Sequence, residues 1–360
     1  ILRVRRMDSS AAKPFGVFSI AATYIGTVVG AGFASGQEVL RFFTAHGVLG
    51  ICGIVVSALL FFFVGYTALL LGRRLSARSH MEVVRHTNGT LLGSLVDIIV
   101  TVMLFGGLCT MLAGSGAIFT EQFSLPPLLG ILVMMAATLL TVLTGTRGVV
   151  NAISYVVPFL AAALAYIFFD NLLRNPLTPQ EVEAAAALGS ATPHWLLSAV
   201  NYTSYNIVIA VGVLAPMGAA TPSRKTLLRG ALLGAGGLML GMLAINYCVM
   251  TNVLEVGMLE VPMAAIAQRI SALLRVMFAV VLLAEVYSTA VGNLFGFTQR
   301  LSARLPRVAV IAVTSVLATL AAQLGFSNMV RFLYPAVGYG GMLFMGGVAY
   351  VWIAKRDTLR

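Results

Sequence analysis

The sequence predicts an all-α integral membrane protein. Of its 360 residues, 59% are hydrophobic and only 10% are charged. About a quarter of the residues in an ordinary soluble protein are charged, so this composition excludes a soluble globular domain. Long apolar runs recur from one end of the chain to the other, and each has the length with which a helix crosses a bilayer.

Ten apolar runs are long enough to be membrane spans. They lie at 15–44, 48–72, 91–119, 126–144 and 149–169, and then at 196–219, 227–251, 271–298, 307–324 and 330–354. The predicted organisation is an N-terminal segment 1–14, a five-helix unit 15–169, a loop 170–195 with a short helix at 179–188, a second five-helix unit 196–354, and a tail 355–360. Residues 1–6 are expected to precede the native start at Met7.

The basic residues predict how these spans are oriented. In the ten-span topology, 18 of the 23 Lys and Arg residues fall on one side of the membrane and five on the other. Positive residues concentrate in cytoplasmic loops, so both termini are predicted to be cytoplasmic and loop 170–195 extracellular. The net charge of +11 is then a topology signal, and no nucleic-acid partner is expected. Residues 253–270 form an amphipathic loop that either covers an extracellular vestibule, as loop 170–195 also would, or is a plain surface helix.

Two of the spans contain residues that do not suit a lipid-facing helix. The first contains GTVVGAGFASGQE from Gly26 to Glu38, and the sixth contains NYTSYN from Asn201 to Asn206. Because five is odd, two five-span units enter the membrane from opposite sides, as in an inverted repeat, and irregularities at matching spans mark a transporter's binding site. We therefore predict a 5+5 inverted repeat in which helices 1 and 6 are discontinuous. The alternative for the glycines is close helix packing.

The segment GTVVGAGFASGQEVLRFF resembles the opening segment of the YkvI-like bacterial membrane proteins. These resemble, in turn, the amino acid–polyamine–organocation superfamily, which has the fold of the bacterial leucine transporter. The resemblance implies a bacterial inner-membrane protein whose unwound first helix, at 29–34, offers backbone amides to a carboxylate and carbonyls to an amine and a sodium ion. The chain departs from the sodium symporters after these glycines, where FASGQE stands in place of an asparagine- and arginine-containing run.

The candidate substrate site combines the interruption in span 1, one residue of span 3 and the polar run of span 6. It comprises Gly30, Ala31, Gly32, Phe33, Ala34, Ser35, Gly36, Glu38, Phe105, Tyr202, Thr203, Ser204, Tyr205 and Asn206. Glycines allow a ligand to approach the backbone closely. Phe105 and its neighbours Met103, Gly106 and Gly107 are explained equally well by helix packing.

The resemblance also implies a sodium site between spans 1 and 8. Its candidate ligands are Val29, Gly32, Glu285, Ser288 and Thr289. Hard cations prefer a shell of several oxygens, which two hydroxyls and backbone carbonyls would supply. The alternative for the hydroxyls is a bond back to the preceding turn of their own helix. Span 5 has no Lys or Arg to replace the ion, although a proton remains an alternative.

Three acidic residues lie well inside the spans, namely Glu38, Asp97 and Glu285. Intramembrane carboxylates are costly and mark functional sites. Glu38 is predicted to bind a substrate amine, order the interruption or carry a proton, unless it merely pairs with Arg41. Glu285 is predicted to charge the ion site or couple protons, and Asp97 to have a helix-entry or salt-bridge role near the cytoplasmic end of span 3.

These features predict a cation-coupled symporter for a small amino acid or related amine. The alternative is a small-molecule receptor built on the same fold. No enzyme activity and no cofactor are predicted, because the four histidines form no cluster and GAGFASG fits neither the dinucleotide-binding nor the phosphate-binding loop pattern.

Overall fold

The computed structural model describes residues 15–77, 79–143, 156–302 and 306–354. All regular structure in these ranges is helical. The predictions for residues 1–14 and 355–360 lie outside the described residues. Each of the ten predicted apolar runs contains a helix.

The helices are numbered in chain order. The first unit contains α1 (Val17–Val28), α2 (Ala31–Ala34), α3 (Gln37–Phe42), α4 (Val48–Leu75), α5 (His80–Phe123), α6 (Pro127–Leu143) and α7 (Val156–Arg174). The connecting loop contains α8 (Pro179–Ala186). The second unit contains α9 (Trp195–Ala219), α10 (Arg224–Met250), α11 (Val253–Val256), α12 (Pro262–Ile270), α13 (Ala272–Leu301), α14 (Arg307–Ala322), α15 (Phe326–Asn328) and α16 (Tyr334–Ala354).

The chain has helices suited to a membrane. Among the described residues, six helical stretches are long and apolar enough to cross a bilayer: α4, α5, α9, α10, α13 and the continuous stretch Phe326–Ala354. Three shorter apolar helices, α1, α6 and α14, accompany them. α5 is much longer than its predicted span, because Ser79 and Glu82 cap its start reciprocally and helical hydrogen bonding continues past a kink at Gly89.

The helices pack in two groups. One group contains α1, α4, α9 and α10, which pack mainly against one another. The other contains α5, α6, α13 and α14. α16 lies between them and packs on both α9 and α5. The interrupted first span therefore borders both groups, with α1 packed on α10 and α2 in contact with α5 and α13.

A cap segment, residues 252–271, lies at one end of the bundle. It contains α11 and α12, and its Glu260 and Val261 N–H groups donate to the Glu121 carboxylate at the end of α5, at 2.7 and 3.0 Å. At the opposite end, Arg300 of α13 pairs with Asp97 of α5, with an N–O distance of 2.5 Å. The predicted ion pair of Asp97 is therefore present, and His80 joins it at 3.2 Å.

The prediction of a break in the sixth span is wrong. α9 runs without interruption from Trp195 to Ala219, straight through the NYTSYN run. The reason is that its polar side chains find acceptors without unwinding the backbone. The Asn201 amide donates to the Pro335 carbonyl at 2.9 Å, and the Ser204 hydroxyl donates to the Gly338 carbonyl at 2.6 Å. Both acceptors belong to α16, so a neighbouring helix accepts the hydrogen bonds of these two donor groups.

Candidate functional site

The first span is interrupted at Val29 and Gly30. Both residues are extended, with φ/ψ of −73°/108° and −122°/−174°. The Val29 N–H still donates to the Ile25 carbonyl at 2.8 Å, and helical bonding resumes where the Ala34 N–H donates to the Gly30 carbonyl at 2.9 Å. The backbone N–H groups at the start of α2 therefore have no acceptor within their own helix, as at any helix N-terminus.

Glu38 folds back onto this interruption. Its side chain is only 5% exposed, and its carboxylate accepts a hydrogen bond from the Tyr205 hydroxyl at 2.8 Å. An alanine methyl group at Gly32 would lie 2.8 Å from the Glu38 carboxyl carbon, well inside van der Waals contact. A side chain at Gly32 would therefore displace the Glu38 carboxylate, which lies directly on the Gly32 backbone.

Glu38 does not pair with Arg41, the alternative considered from the sequence. Arg41 points toward the cap end, where its guanidinium donates to the Gly189 carbonyl at 3.1 Å and to the Ser327 hydroxyl at 3.0 Å. The Glu38 carboxylate therefore has no basic partner among the described residues, and a tyrosine hydroxyl is its hydrogen-bond donor.

Aromatic rings surround the Glu38 carboxylate. The ring centroids of Tyr202 and Tyr205 are 5.5 Å apart, and those of Tyr205 and Tyr334 are 5.0 Å apart. Phe42 packs on both Tyr202 and Tyr205, at 5.4 and 5.6 Å. Tyr334 was missed in the sequence analysis, because a tyrosine at the start of a span is typical of a membrane interface and predicts no site.

The remaining residues of the NYTSYN run face other elements. The Thr203 hydroxyl donates to the Ala199 carbonyl of its own helix at 3.0 Å, and the Asn206 amide donates to the Tyr202 carbonyl at 3.0 Å. Ser204 faces α16 through its bond to Gly338. Of this run, the structure brings Tyr202 and Tyr205 to Glu38.

The second half of the interruption is fixed to the cap segment. The Ser35 carbonyl accepts from the Met263 N–H at 2.9 Å, and the Gln37 amide donates to the Leu259 carbonyl at 3.3 Å. Gly36 has a φ of +84°, a conformation that glycine adopts without strain, and Met263 packs directly against it. Ala31 and Ala34 are buried in α2 between these contacts.

Two aromatic residues of the predicted site lie away from Glu38. Phe33 and Val29 line an apolar cavity of about 760 Å³ between α1, α7 and α10. Phe105 lines a different cavity of about 630 Å³, next to Leu333, and its ring lies 5.6 Å from that of Phe297. The structure therefore does not bring Phe105 to the interruption.

The candidate ion ligands on α13 differ in their surroundings. The Thr289 hydroxyl oxygen lies 4.0 Å from where a side chain at Gly30 would begin, so it faces the interruption. The Ser288 hydroxyl instead donates to the Glu285 carbonyl at 3.0 Å, which is the local bond considered as its alternative. Glu285 is 3% exposed. Among the described residues, no three His, Cys, Asp or Glu side chains cluster as a metal site.

No protein-family model matches this sequence. The membrane protein YkvI of Bacillus subtilis is 28% identical over 345 residues, which cover 94% of this chain and 97% of YkvI. The similarity predicted from the GTVVGAGFASGQE segment therefore extends over nearly the whole chain.

Two solved structures show the same fold. MhsT, in complex with L-phenylalanine, superposes with a TM-score of 0.66 and 16% identity, covering 94% of this chain and 90% of MhsT. A substrate-bound, Na⁺-coupled sialic acid symporter superposes with a TM-score of 0.61 and 14% identity, covering 93% and 79% of the two chains. Both of these structures are of transporters with the leucine-transporter fold. The chain is thus a relative of the YkvI-like membrane proteins and has the leucine-transporter fold.

Proposed function

We propose that this protein is a secondary active transporter that takes up a small amino acid or related amine together with a cation, by alternating access. The observation that carries the proposal is the interruption at Val29–Gly30, with the buried Glu38 carboxylate folded onto it. A polar, irregular backbone is tolerated at membrane depth only inside protein or beside an aqueous cavity. The interruption lies between the two helix groups, so a substrate bound there would contact both groups.

The packing of the helices supports a 5+5 inverted repeat of ten spans. The group α1, α4, α9 and α10 contains spans 1, 2, 6 and 7 of the predicted topology. The second group contains spans 3, 4, 8 and 9. Each group thus takes two spans from the first unit and the two corresponding spans from the second, as expected if the units are structural repeats.

The residues around the interruption suit a substrate that carries an amine. The Glu38 carboxylate is an acceptor for an ammonium group, and the faces of Tyr202, Tyr205 and Tyr334 attract cations. The free amides at the start of α2 suit a carboxylate. L-Phenylalanine is held by MhsT, which is consistent with an amino acid as the substrate here.

The membrane orientation follows the charge distribution. We place the protein in a bacterial inner membrane with both termini cytoplasmic and the cap segment extracellular. In this orientation the bonds from Ser35, Gln37 and Arg41 to the cap end close the extracellular side. Sodium is proposed as the coupling ion, held by Thr289 and backbone carbonyls of the interruption, because sodium drives the sialic acid symporter of the same fold.

The test is uptake by proteoliposomes that contain the purified chain. A panel of labelled amino acids and amines is supplied with an imposed inward sodium gradient or an imposed pH gradient. We expect accumulation of at least one compound, and we expect Gly32→Leu to abolish it while Gly212→Ala, on a helix face open to space, retains it. Saturable binding without accumulation would identify a receptor instead. No uptake with either gradient would overturn the proposal.

A further inference from the structure

Three polar side chains lie one above the other on α13. They are Glu285, Thr289 and Asn293, spaced four residues apart and therefore on one face of the helix. With a rise of about 1.5 Å per residue, successive members are separated by about 6 Å along the helix axis. Glu285 and Thr289 are among the predicted ion ligands, whereas Asn293 is not; it follows Thr289 by one turn toward the end opposite the cap segment.

None of the three has its hydrogen bonding completed within the described part of the chain. One carboxylate oxygen of Glu285 is buried and unpartnered, and Glu285 forms no ion pair there. The Thr289 hydroxyl makes no hydrogen bond to any residue that the structure describes, whereas Thr27, Thr67 and Thr110 each donate to the carbonyl four residues earlier. Polar groups left unpaired inside a membrane protein are costly, so their alignment requires an explanation.

The face they share is turned toward the interruption and α5. Thr289 faces Gly30, as described above. The Asn293 amide lies against Gly107 of α5, so close that a methyl group there would be 2.6 Å from its nitrogen. Gly107 therefore leaves room for the Asn293 carboxamide between α5 and α13.

Arg300 lies at the end of α13 opposite the cap segment and does not form an ion pair with Glu285. Its guanidinium is already held by the Asp97 carboxylate and by the Thr101 hydroxyl, the latter at 3.2 Å. The row therefore presents oxygen atoms from a carboxyl group, a hydroxyl and a carboxamide, a set that matches a monovalent metal cation in ligand type.

We propose that Glu285, Thr289 and Asn293 form a path along α13 by which an alkali metal cation leaves the interruption, with Asn293 as its last side-chain ligand. The inference rests on the proposed function for the direction of movement only. Binding of the cation at the three positions is a property of the protein alone. A carboxylate, a hydroxyl and a carboxamide about 6 Å apart hand the ion from one oxygen to the next.

The experiment measures cation binding without any substrate. The thermal unfolding midpoint of the purified full chain is followed against NaCl concentration, with choline chloride keeping the ionic strength constant, and with LiCl and KCl as further probes. We expect sodium to raise the midpoint of the native protein. Asn293→Leu and Thr289→Val are each expected to increase the half-saturating sodium concentration at least tenfold.

Ser288→Ala is the matched control, because the Ser288 hydroxyl is already engaged by the Glu285 carbonyl. It is expected to leave the half-saturating concentration within twofold of the native value. Asn293→Asp keeps an oxygen ligand and is expected to retain the sodium response. If Asn293→Leu does not give a monodisperse protein in choline chloride, Asn293→Ala is measured in its place.

The path is overturned if no alkali cation raises the midpoint of the native protein, or if Asn293→Leu and Thr289→Val both keep native sodium affinity. These failures are distinct from failure of the transport proposal. Uptake driven only by protons, with no sodium response, would contradict the proposed cation path and support the proposed transport function. A sodium response without uptake of any compound would support cation binding along α13 and contradict the proposed transport function.

Discussion

The first and sixth spans look equally unsuited to a membrane helix in the sequence, yet they fold differently. The first is divided at Val29–Gly30 and again at Gly36, whereas α9 is continuous through six consecutive polar or tyrosine residues. The difference lies in what the side chains offer. The glycines of the first span have no side chain to bind a neighbouring helix. The Asn and Ser side chains of α9 donate to carbonyls of α16 and keep their own backbone helical.

The comparison shows that polarity at membrane depth does not by itself break a helix. A polar side chain needs only a partner, and α16 supplies carbonyl acceptors at Pro335 and Gly338. The first span breaks where the backbone is extended, at Val29 and Gly30, and again where φ is positive, at Gly36. The two kinds of irregularity therefore respond differently to mutation.

The largest effect is expected at Gly32. Gly32→Ala forces a methyl group into the Glu38 carboxylate, and overpacking of this kind costs about 1–3 kcal/mol of unfolding free energy. In a Glu38→Ala background the same substitution is expected to cost less than about 1 kcal/mol, because the overlapping group is absent. Urea unfolding of the four proteins of this double-mutant cycle measures the coupling. Additive effects would show that Glu38 does not lie on Gly32.

A smaller effect is expected at Asn201, on the continuous helix. Asn201→Leu removes its bond to the Pro335 carbonyl, which keeps its own helical donor in α16, so the loss is that of one net hydrogen bond, about 0.5–1.5 kcal/mol. The matched control is Thr203→Val, which keeps the side-chain shape and removes a hydroxyl that makes no bond to α16; its bonds go to the Ala199 carbonyl of its own helix at 3.0 Å and to the Ser57 carbonyl of α4 at 3.5 Å. Unfolding midpoints and far-UV circular dichroism check the result. If Asn201→Leu were as stable as the native protein, the continuity of α9 would not depend on its bonds to α16.

The smallest effect is expected at Gly212, a glycine at which α9 is not interrupted. A side chain there meets no atom within 4 Å, so Gly212→Ala is expected to stabilise the helix by about 0.5–1 kcal/mol through backbone entropy. The same thermal unfolding assay provides the measurement. A loss of stability at Gly212 comparable to that at Gly32 would mean that the glycines of the two spans do not differ in role.

Much of the architecture was predictable, because apolar length and charge distribution report directly on membrane spans. Each predicted run contains a helix, and the interruption after Val28 coincides with the glycine-rich segment. The continuity of α9 was not predictable, since its hydrogen-bond acceptors lie some 130 residues away on α16. The pairing of Tyr334 with Tyr205 depends on the same packing.

The prediction that Phe105 lines the site failed because the sequence did not show which face of α5 is turned toward the interruption. Successive residues of a helix differ by about 100° in direction, so Phe105 and Gly107 face different neighbours. The predicted span 91–119 did not determine which of them faces the interruption. Asn293 was missed for a related reason. A single amide in an apolar helix has no periodicity of its own, and its significance appears only beside Gly107.

The interruption also makes the first span into two rigid bodies joined by a hinge. The α1 body is attached to α4, where the Tyr24 hydroxyl donates to the Phe61 carbonyl at 2.7 Å. The body formed by α2 and α3 is attached to the cap end through Ser35 and Arg41. Main-chain hydrogen bonds lie on either side of Val29–Gly30, so rotation about these two residues breaks none of them. Tilting of α1 would therefore break its contacts with α4 and α10 but none of the main-chain bonds that attach α2 and α3 to the cap end.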